Sequence, residues 1–321
     1  MNNTIFLCAV SLACVATVCA APAKGKVAAR RPAAQRSAAF PETAFRRTPY
    51  VGAIAVDAQT GEVLFERHAD AVARPASVTK LMTLLLCLED MHAFKYDPTT
   101  RVTASVRCCQ ERPSSVGLKP GQSMTVDDLL MSIMVRSAND AAVLLAEHST
   151  AANAGRAIEP GDLQAFVLRM NNKARELGMA HTHYATPNGY PPKPGSGRPF
   201  DTSTCRDLVK LAQAVLRYPE AFRFTKTKLC TVTDGAGKPL KMVNHNNILV
   251  KDKQKILNER GESEVDGLKT GYIDAGGSSI ILTGARNGKR AIVVVVGSQT
   301  SKLRDQHARA LMVEALDRVA K

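Results

Sequence analysis

An α+β fold, in which strands from both ends of the chain build one antiparallel sheet around a helical middle, follows from three features of the sequence. Strand-like hairpins open and close the body of the chain, the stretch between them is helical in period, and one helix there is apolar on nearly every side. The opening hairpin is read from Val51, Ala53 and Ala55, a turn over 57–61, then Val63 and Phe65. Residues 77–91 carry Leu81, Met82, Leu84, Leu85 and Leu86, a pattern for a helix that runs through the core rather than over it. Further helices fit 126–148, with Asp127 and Asp128 in the first turn, then 161–177 and 202–216. The Pro/Gly-rich stretch 187–199 reads as a long surface loop. Residues 279–283, a turn over 286–289, and 291–298 form the closing, strongly β-branched hairpin. Leu303, Ala310, Leu311, Leu316 and Val319 then give the last segment one apolar face, which fits a helix packed back on the sheet.

Composition limits what this fold serves. The chain of 321 residues is 45% hydrophobic and 22% charged, which excludes a disordered or fibrous protein and leaves room for one large domain or two modest ones. Lys and Arg number 43 against 29 Asp and Glu, a net +14 that suits an anionic partner such as nucleic acid, a membrane surface or a wall polymer. The first residues decide among these. Residues 5–18 form an uncharged, mostly apolar run, and Val18-Cys19-Ala20 offers small residues where a signal peptidase cuts, so 1–20 reads as a signal peptide. As a membrane span the run would cover only ~21 Å of a ~30 Å hydrocarbon core. No basic residue precedes it, and Ser11 stands where lipidation at Cys14 would need an aliphatic side chain. Export to the periplasm or cell envelope removes nucleic acid as the partner.

Residues 21–48 are rich in Ala and Pro and hold Lys24, Lys26, Arg30, Arg31, Arg36, Arg46 and Arg47 against the single acid Glu42. This is a basic tether, suited to loose contact with anionic envelope polymers, and it leaves the body from residue 49 at about +8. Five cysteines survive signal removal: Cys87, Cys108, Cys109, Cys205 and Cys230. Their odd number and lack of CxxC spacing argue against a zinc ribbon or a dense disulfide framework. At most two disulfides fit, and Cys87, inside the apolar helix, reads as a buried thiol.

Three short strings carry chemistry. Ser77-Val78-Thr79-Lys80 opens the buried helix, and a spacing of three puts the hydroxyl and the amine on one face. Burial lowers a lysine pKa, because the charged form loses hydration, and a neutral amine can then take the serine proton. Ser137-Ala138-Asn139 sets a hydroxyl and an amide two apart in a short break within helical sequence. Lys269-Thr270-Gly271 enters a strand, with Gly271 lacking the side chain that would keep backbone from a ligand. About one SxxK and about 0.6 SxN are expected by chance in a chain of this composition, so neither is informative alone, whereas the Lys-Thr-Gly string is expected only about 0.1 times. Their order and placement are far more specific than any member.

In that order the sequence resembles the penicillin-recognising serine enzymes, and among them the low-molecular-mass penicillin-binding proteins that act as serine D-Ala-D-Ala carboxypeptidases. The resemblance extends to Arg74-Pro75-Ala76-Ser77, Leu129-Leu130, Ser137-Ala138-Asn139-Asp140-Ala141-Ala142, Leu177-Gly178-Met179, Thr186-Pro187-Asn188-Gly189, Asn244-His245-Asn246 and Val265-Asp266-Gly267-Leu268-Lys269-Thr270-Gly271, and covers about residues 49–320. It implies a β-lactamase/DD-peptidase-like catalytic domain over 49–321, with no cofactor and no metal. It implies that Ser77 attacks the carbonyl of the penultimate D-Ala, that Lys80 accepts its proton, and that Ser137 relays a proton to the leaving D-Ala. Asn139 would bind the stem-peptide backbone and Lys269 with Thr270 its terminal carboxylate, while the N–H groups of Ser77 and Tyr272, beside Gly271, would form the oxyanion hole. The partners implied are peptidoglycan stem peptides, with β-lactams as covalent inhibitors.

Two departures shape that expectation. Glu159, Glu176 and Glu220 lack the ExxLN setting of a class A β-lactamase, so slow loss of bound penicillin is expected. Only 50 residues follow Gly271, which finishes the catalytic domain without the further β-rich domain of many relatives. The shorter build resembles members that cut D-Ala cross-links, so an endopeptidase is the alternative activity and a β-lactamase a weaker one. His245 and the charged segment 251–264 are places where pocket shape would differ. Rival readings are a metallopeptidase using His181 and His183 near Asp201 and Asp207, which lacks HExxH or any matching cluster, and an inactive wall-binding module, against which every named position is intact.

Overall fold

The computed structural model describes residues 49–193, 195–251, 256 and 264–321. The signal peptide, the tether and most of segment 251–264 lie outside the described residues.

The opening hairpin forms as the alternation predicts, with β1 (Gly52–Asp57) paired to β2 (Val63–Arg67). A 3₁₀ turn over Ala76–Thr79 leads into α1 (Lys80–His92), whose residues from Lys80 to Leu88 are all buried. Short strands β3 (Arg101–Thr103) and β4 (Ser123–Thr125) pair before α2 (Val126–Met131). Then come α3 (Asn139–Asn153), α4 (Asp162–Glu176), α5 (Cys205–Val215) and α6 (Ala221–Thr225). Strands β5 (Leu229–Thr233) and β6 (Pro239–Val243) make a separate hairpin ahead of α7 (Asn247–Val250). The chain closes with β7 (Val265–Ile273), β8 (Gly277–Arg286), β9 (Lys289–Ser298) and α8 (Ser301–Val319).

The central sheet has the order β2-β1-β9-β8-β7, so the N- and C-terminal hairpins meet where β1 pairs antiparallel with β9. Both of its faces are covered, which explains why β9 reads as a nearly unbroken apolar run rather than an alternation. Ala291, Val293 and Val295 pack toward Ala308, Met312, Ala315 and Leu316 of α8, while Ile292, Val294 and Val296 face the helical middle around α1, α3 and α5. The last segment is thus a helix on the sheet, as its apolar face predicts.

Three expectations need correction. The helix read over 126–148 is two helices, because a π-helical turn over Ser132–Arg136 ends at Ser137, which is left-handed (φ 60°, ψ 32°), before α3 begins. No Gly or Pro signals that break. The β5–β6 and β3–β4 pairs were not foreseen, the latter being only three residues per strand. The stretch 187–199 is mostly exposed loop, yet its first residues, Pro187, Asn188 and Gly189, are buried.

Candidate active site

The SxxK pair forms at the junction of the 3₁₀ turn and α1, with Ser77 in the turn and Lys80 the first residue of the helix. Residues three apart eclipse in a 3₁₀ turn, which brings the two side chains closer than an α-helical face would. Lys80 Nζ lies 3.1 Å from Ser77 Oγ. Two glycines let other segments press on the turn. A Cβ on Gly271 of β7 would stand 2.4 Å from Pro75 O and 3.0 Å from Ser77 N, and one on Gly189 would stand 1.9 Å from Ala76 O. Gly189 is also left-handed (φ +74°), so both its space and its dihedral demand glycine.

Lys80 is fully buried. Its Nζ donates to Asn139 Oδ1 at 2.7 Å and to the Asn188 carbonyl at 2.6 Å. Burial, and secondarily the positive charge of Lys269, hold its pKa well below the usual lysine value, opposed by the carboxylates of Asp201, Glu111 and Asp140. Asn139, first residue of α3, faces the lysine because the left-handed corner at Ser137 turns the chain there. Ser137 Oγ accepts from Lys269 Nζ at 3.0 Å.

Lys269, Thr270 and Gly271 lie on β7 beside the Ser77 turn, and Lys269 and Thr270 are buried. Burial, with Arg304 nearby, lowers Lys269 to about 7. Tyr272 follows with its side chain exposed and its hydroxyl bonded to Asp274 at 2.6 Å, so its ring stands away from the buried lysines. His245 is set near the same lysines; burial first, then Lys269, Arg136 and Lys80, depress it to about 4, which keeps it neutral. Lys80 joins Ser77 and Asn139 by hydrogen bonds, and Lys269 joins Ser137 from the strand whose Gly271 lies against the Ser77 turn, while the Tyr272 side chain stays outside the group.

The sequence reading missed the residues that hold this group in place. Segment 111–118 straps across it: Asn139 Nδ2 donates to Arg112 O at 2.9 Å, Asn139 N to Ser114 O at 2.7 Å, and Arg136 Nε to Ser115 O at 2.7 Å. The Asp140 carboxylate accepts from the N–H groups of Val116, Gly117 and Leu118. Buried Asp201 accepts from Thr79 Oγ1, beside Lys80, and from Ala185 and Thr186 N–H, tying α1 to the segment that carries Asn188. Asp140 and Asn188 lie in the quoted family stretches; Glu111 gave no signal, and Asp201 was named only beside the histidines of the metallopeptidase reading.

Asp207 accepts from His181 N and Thr182 Oγ1, and among the described residues no three His, Cys, Asp or Glu side chains are placed to share a metal ion. Glu159, Glu176 and Glu220 pair with Arg156, Lys173 and His92 away from the serine. The five described cysteines are free thiols, with burial pushing Cys87 and Cys108 up to about 12. No described helix is long and apolar enough to cross a membrane.

A family model described as D-alanyl-D-alanine carboxypeptidase matches residues 49–300. D-alanyl-D-alanine carboxypeptidase DacF of Bacillus subtilis is 29% identical over 260 residues, covering 81% of this chain and 60% of that protein. DacA of Escherichia coli is 30% identical over 266 residues, with 81% and 59% covered. The chain thus spans about three-fifths of the length of these curated relatives. Among solved structures, penicillin-binding protein D2 from Listeria monocytogenes in its ampicillin-bound form superposes with TM-score 0.65 at 28% identity, covering 83% of this chain and 97% of that one. The same protein bound to cefotaxime gives 0.66.

Proposed function

The chain belongs to the D-alanyl-D-alanine carboxypeptidase family, and from that premise we propose that it is a penicillin-sensitive serine carboxypeptidase, removing the terminal D-Ala of peptidoglycan stem peptides through an acyl-enzyme on Ser77. The observation that carries this reading is the setting of Lys80, a buried amine 3.1 Å from a serine hydroxyl and held by two carbonyl oxygens. Such an amine sheds its proton easily and can accept one from Ser77 as Oγ bonds to the carbonyl carbon of the penultimate D-Ala.

The oxygen of that carbonyl becomes an oxyanion, received by the N–H groups of Ser77 and Tyr272, a role supported by Gly271, whose missing Cβ lets β7 press on the Ser77 turn. Lys269 and Thr270 receive the terminal carboxylate, and Asn139 the stem-peptide backbone. The C–N bond then breaks, the proton held by Lys80 passing through Ser137 to the leaving amine. Water attacks the ester and returns the proton to Ser77 Oγ. A penicillin opens on Ser77 in the same way, but its leaving group stays attached. With Glu159, Glu176 and Glu220 each paired elsewhere among the described residues, the adduct persists. The apolar run at 5–18 supports action outside the cytoplasmic membrane, with the basic tether against anionic envelope polymers.

Intact mass after incubation with benzylpenicillin, with Ser77→Ala as control, tests the reading. One stable adduct, absent in the variant, together with D-Ala release from an N-acylated peptide ending in D-Ala-D-Ala, is expected. Rapid drug loss without adduct would identify a β-lactamase instead, and an untouched drug would overturn the serine mechanism. Release from cross-linked dimers in preference to the free peptide would make the enzyme an endopeptidase.

A further inference from the structure

A neutral lysine amine carries two N–H bonds and one lone pair. Around Lys80 Nζ stand three partners, of which the Asn188 main-chain oxygen only accepts. The Asn139 amide could face either way by shape alone, but its nitrogen is committed to the Arg112 carbonyl at 2.9 Å, so its oxygen must face Lys80. Both N–H bonds are therefore spent on carbonyls. The lone pair is left for Ser77, whose Oγ stands 3.1 Å away and whose O–H is able to donate.

The direction of that lone pair depends on how firmly the two carbonyls are fixed, and adjacent strap residues fix them from opposite sides. Arg112 holds Asn139. Glu111 holds residue 188: Asn188 Nδ2 donates to Glu111 Oε2 at 2.9 Å, an orientation set because Asn188 Oδ1 accepts from Tyr190 N at 2.9 Å. Arg107 Nη1 takes the other oxygen of Glu111 at 2.6 Å and stops it from turning away. Glu111 touches neither Ser77 nor Lys80.

We propose that Glu111 is a positioning residue for the acyl transfer: by holding the Asn188 side chain it fixes the carbonyl that takes one N–H of Lys80, and so aims the amine lone pair at Ser77. The proposal rests on Lys80 as the base for Ser77. It gives a chain of Arg107, Glu111, Asn188, Lys80 and Ser77 drawn from the strap, the start of the 187–199 loop and α1. A misaimed base costs rate out of proportion to any loss of fold, because small displacements of a reacting group cost up to about 100-fold.

Glu111 also adds charge to the pocket. Lys80 faces the carboxylates of Glu111, Asp140 and Asp201, and against them Lys269, with neutral His245 beside the same lysines. Removing one of the carboxylates disfavours the ammonium form of Lys80. The acid limb of acylation then moves to lower pH, a change that loosened packing does not produce.

The test compares Glu111→Ala and Glu111→Gln in the full chain by the second-order constant for acylation by benzylpenicillin across pH, with melting temperature and adduct lifetime alongside. Ser77→Ala and Lys80→Arg report first on the underlying reading; an adduct in Ser77→Ala would sink that reading and this one with it, whereas the Glu111 outcomes below bear on this one alone. Expected are a loss of about 10- to 100-fold for Glu111→Ala, a smaller loss for Glu111→Gln, whose oxygen still accepts from Asn188 although its NH2 no longer accepts from Arg107, and an acid limb shifted down in the Gln variant. Should the Ala variant fail to fold, the nearly isosteric Gln variant carries the test through its acid limb alone. Unchanged rate and acid limb in both would overturn the proposal, as would a Gln variant as slow as Ala. A variant that slows only hydrolysis of the adduct would overturn it too, by making Glu111 a group that acts on water.

Discussion

Lys269 and Ser137 join parts of the chain 132 residues apart, the buried amine of β7 donating to the hydroxyl at the left-handed corner before α3 at 3.0 Å. This bond, with a second from the same amine to Thr270 O at 3.0 Å, fixes the lysine in a setting where its charge is hard to keep. Burial, with Arg304 adding to it, brings its pKa to about 7, so in the free protein the ammonium form is lost as pH rises through that value. Lys80 needs the opposite condition, since it offers a lone pair only when unprotonated.

A bell-shaped pH profile follows for the second-order constant of acylation by benzylpenicillin, an anion. The alkaline limb falls near pH 7, and a bound carboxylate, by favouring the lysine's charge, carries that limb upward in the limiting rate at saturation. His245, depressed to about 4, stays neutral across this range and contributes to neither limb there. Lys269→Arg keeps its charge at every accessible pH. Stopped-flow acylation of that variant is expected to lose the limb near 7; a limb that stays in place would assign it to another group.

Lys80→Arg keeps a cation in the pocket and removes the base. A guanidinium has no lone pair to give at any working pH, and general-base assistance contributes about 10²–10⁴-fold. The acylation constant is therefore expected to fall by at least about 100-fold while binding of the unreacted drug survives, measured by adduct formation against time. A loss smaller than tenfold would mean that Ser77 finds its base elsewhere.

The serine turn is held between two glycines, and their replacement separates fit from fold. Gly271→Ala sets a Cβ 2.4 Å from Pro75 O, which pushes β7 off the turn and splits the N–H pair assigned to the oxyanion. Loss of one such donor costs about 10²–10³ in rate. Gly189→Ala meets Ala76 O at 1.9 Å and must also hold a left-handed dihedral, so its larger effect is on stability, about 1–3 kcal/mol from the backbone strain alone. Scanning calorimetry beside acylation rates checks the contrast. Equal losses of stability in the two variants would refute it.

The frame was legible because its signals are local and periodic. β1 and β2 are marked by the turn at 57–61 between two apolar strands, although β1 proves buried along nearly its whole length, and the run at β9 shows burial on both faces. The strings around Ser77, Ser137 and Lys269 carried the chemistry through their order. What holds these side chains was not legible, for a physical reason. Glu111, Asp140 and Asp201 act through main-chain N–H groups and side-chain amides of segments that only the fold brings near, and such bonds leave no period or spacing in the sequence. The short break at Ser137 was read from the sequence but its left-handed geometry was not, since a left-handed serine costs about 1 kcal/mol that the Lys269 contact and the α3 start offset within the folded protein.

Asp201 offers the sharpest test of that hidden support. Its carboxylate, fully buried and pushed up in pKa by that burial, accepts from Thr79 Oγ1 at 2.8 Å, from Ala185 N at 2.7 Å, and from Thr186 through N at 3.0 Å and Oγ1 at 3.1 Å. Asp201→Ala leaves two partly buried main-chain donors without partners, at up to about 1–3 kcal/mol each, and frees the hydroxyls of Thr186 and of Thr79 beside the base. A total near 3 kcal/mol lowers the melting temperature of a domain this size by roughly 6–12 °C. Because Thr79 and Asn188 flank Lys80 from the two segments that Asp201 joins, acylation is expected to slow as well, at temperatures where the variant is still folded. A melting point within about 1 °C of the parent would show that water takes over the vacated bonds.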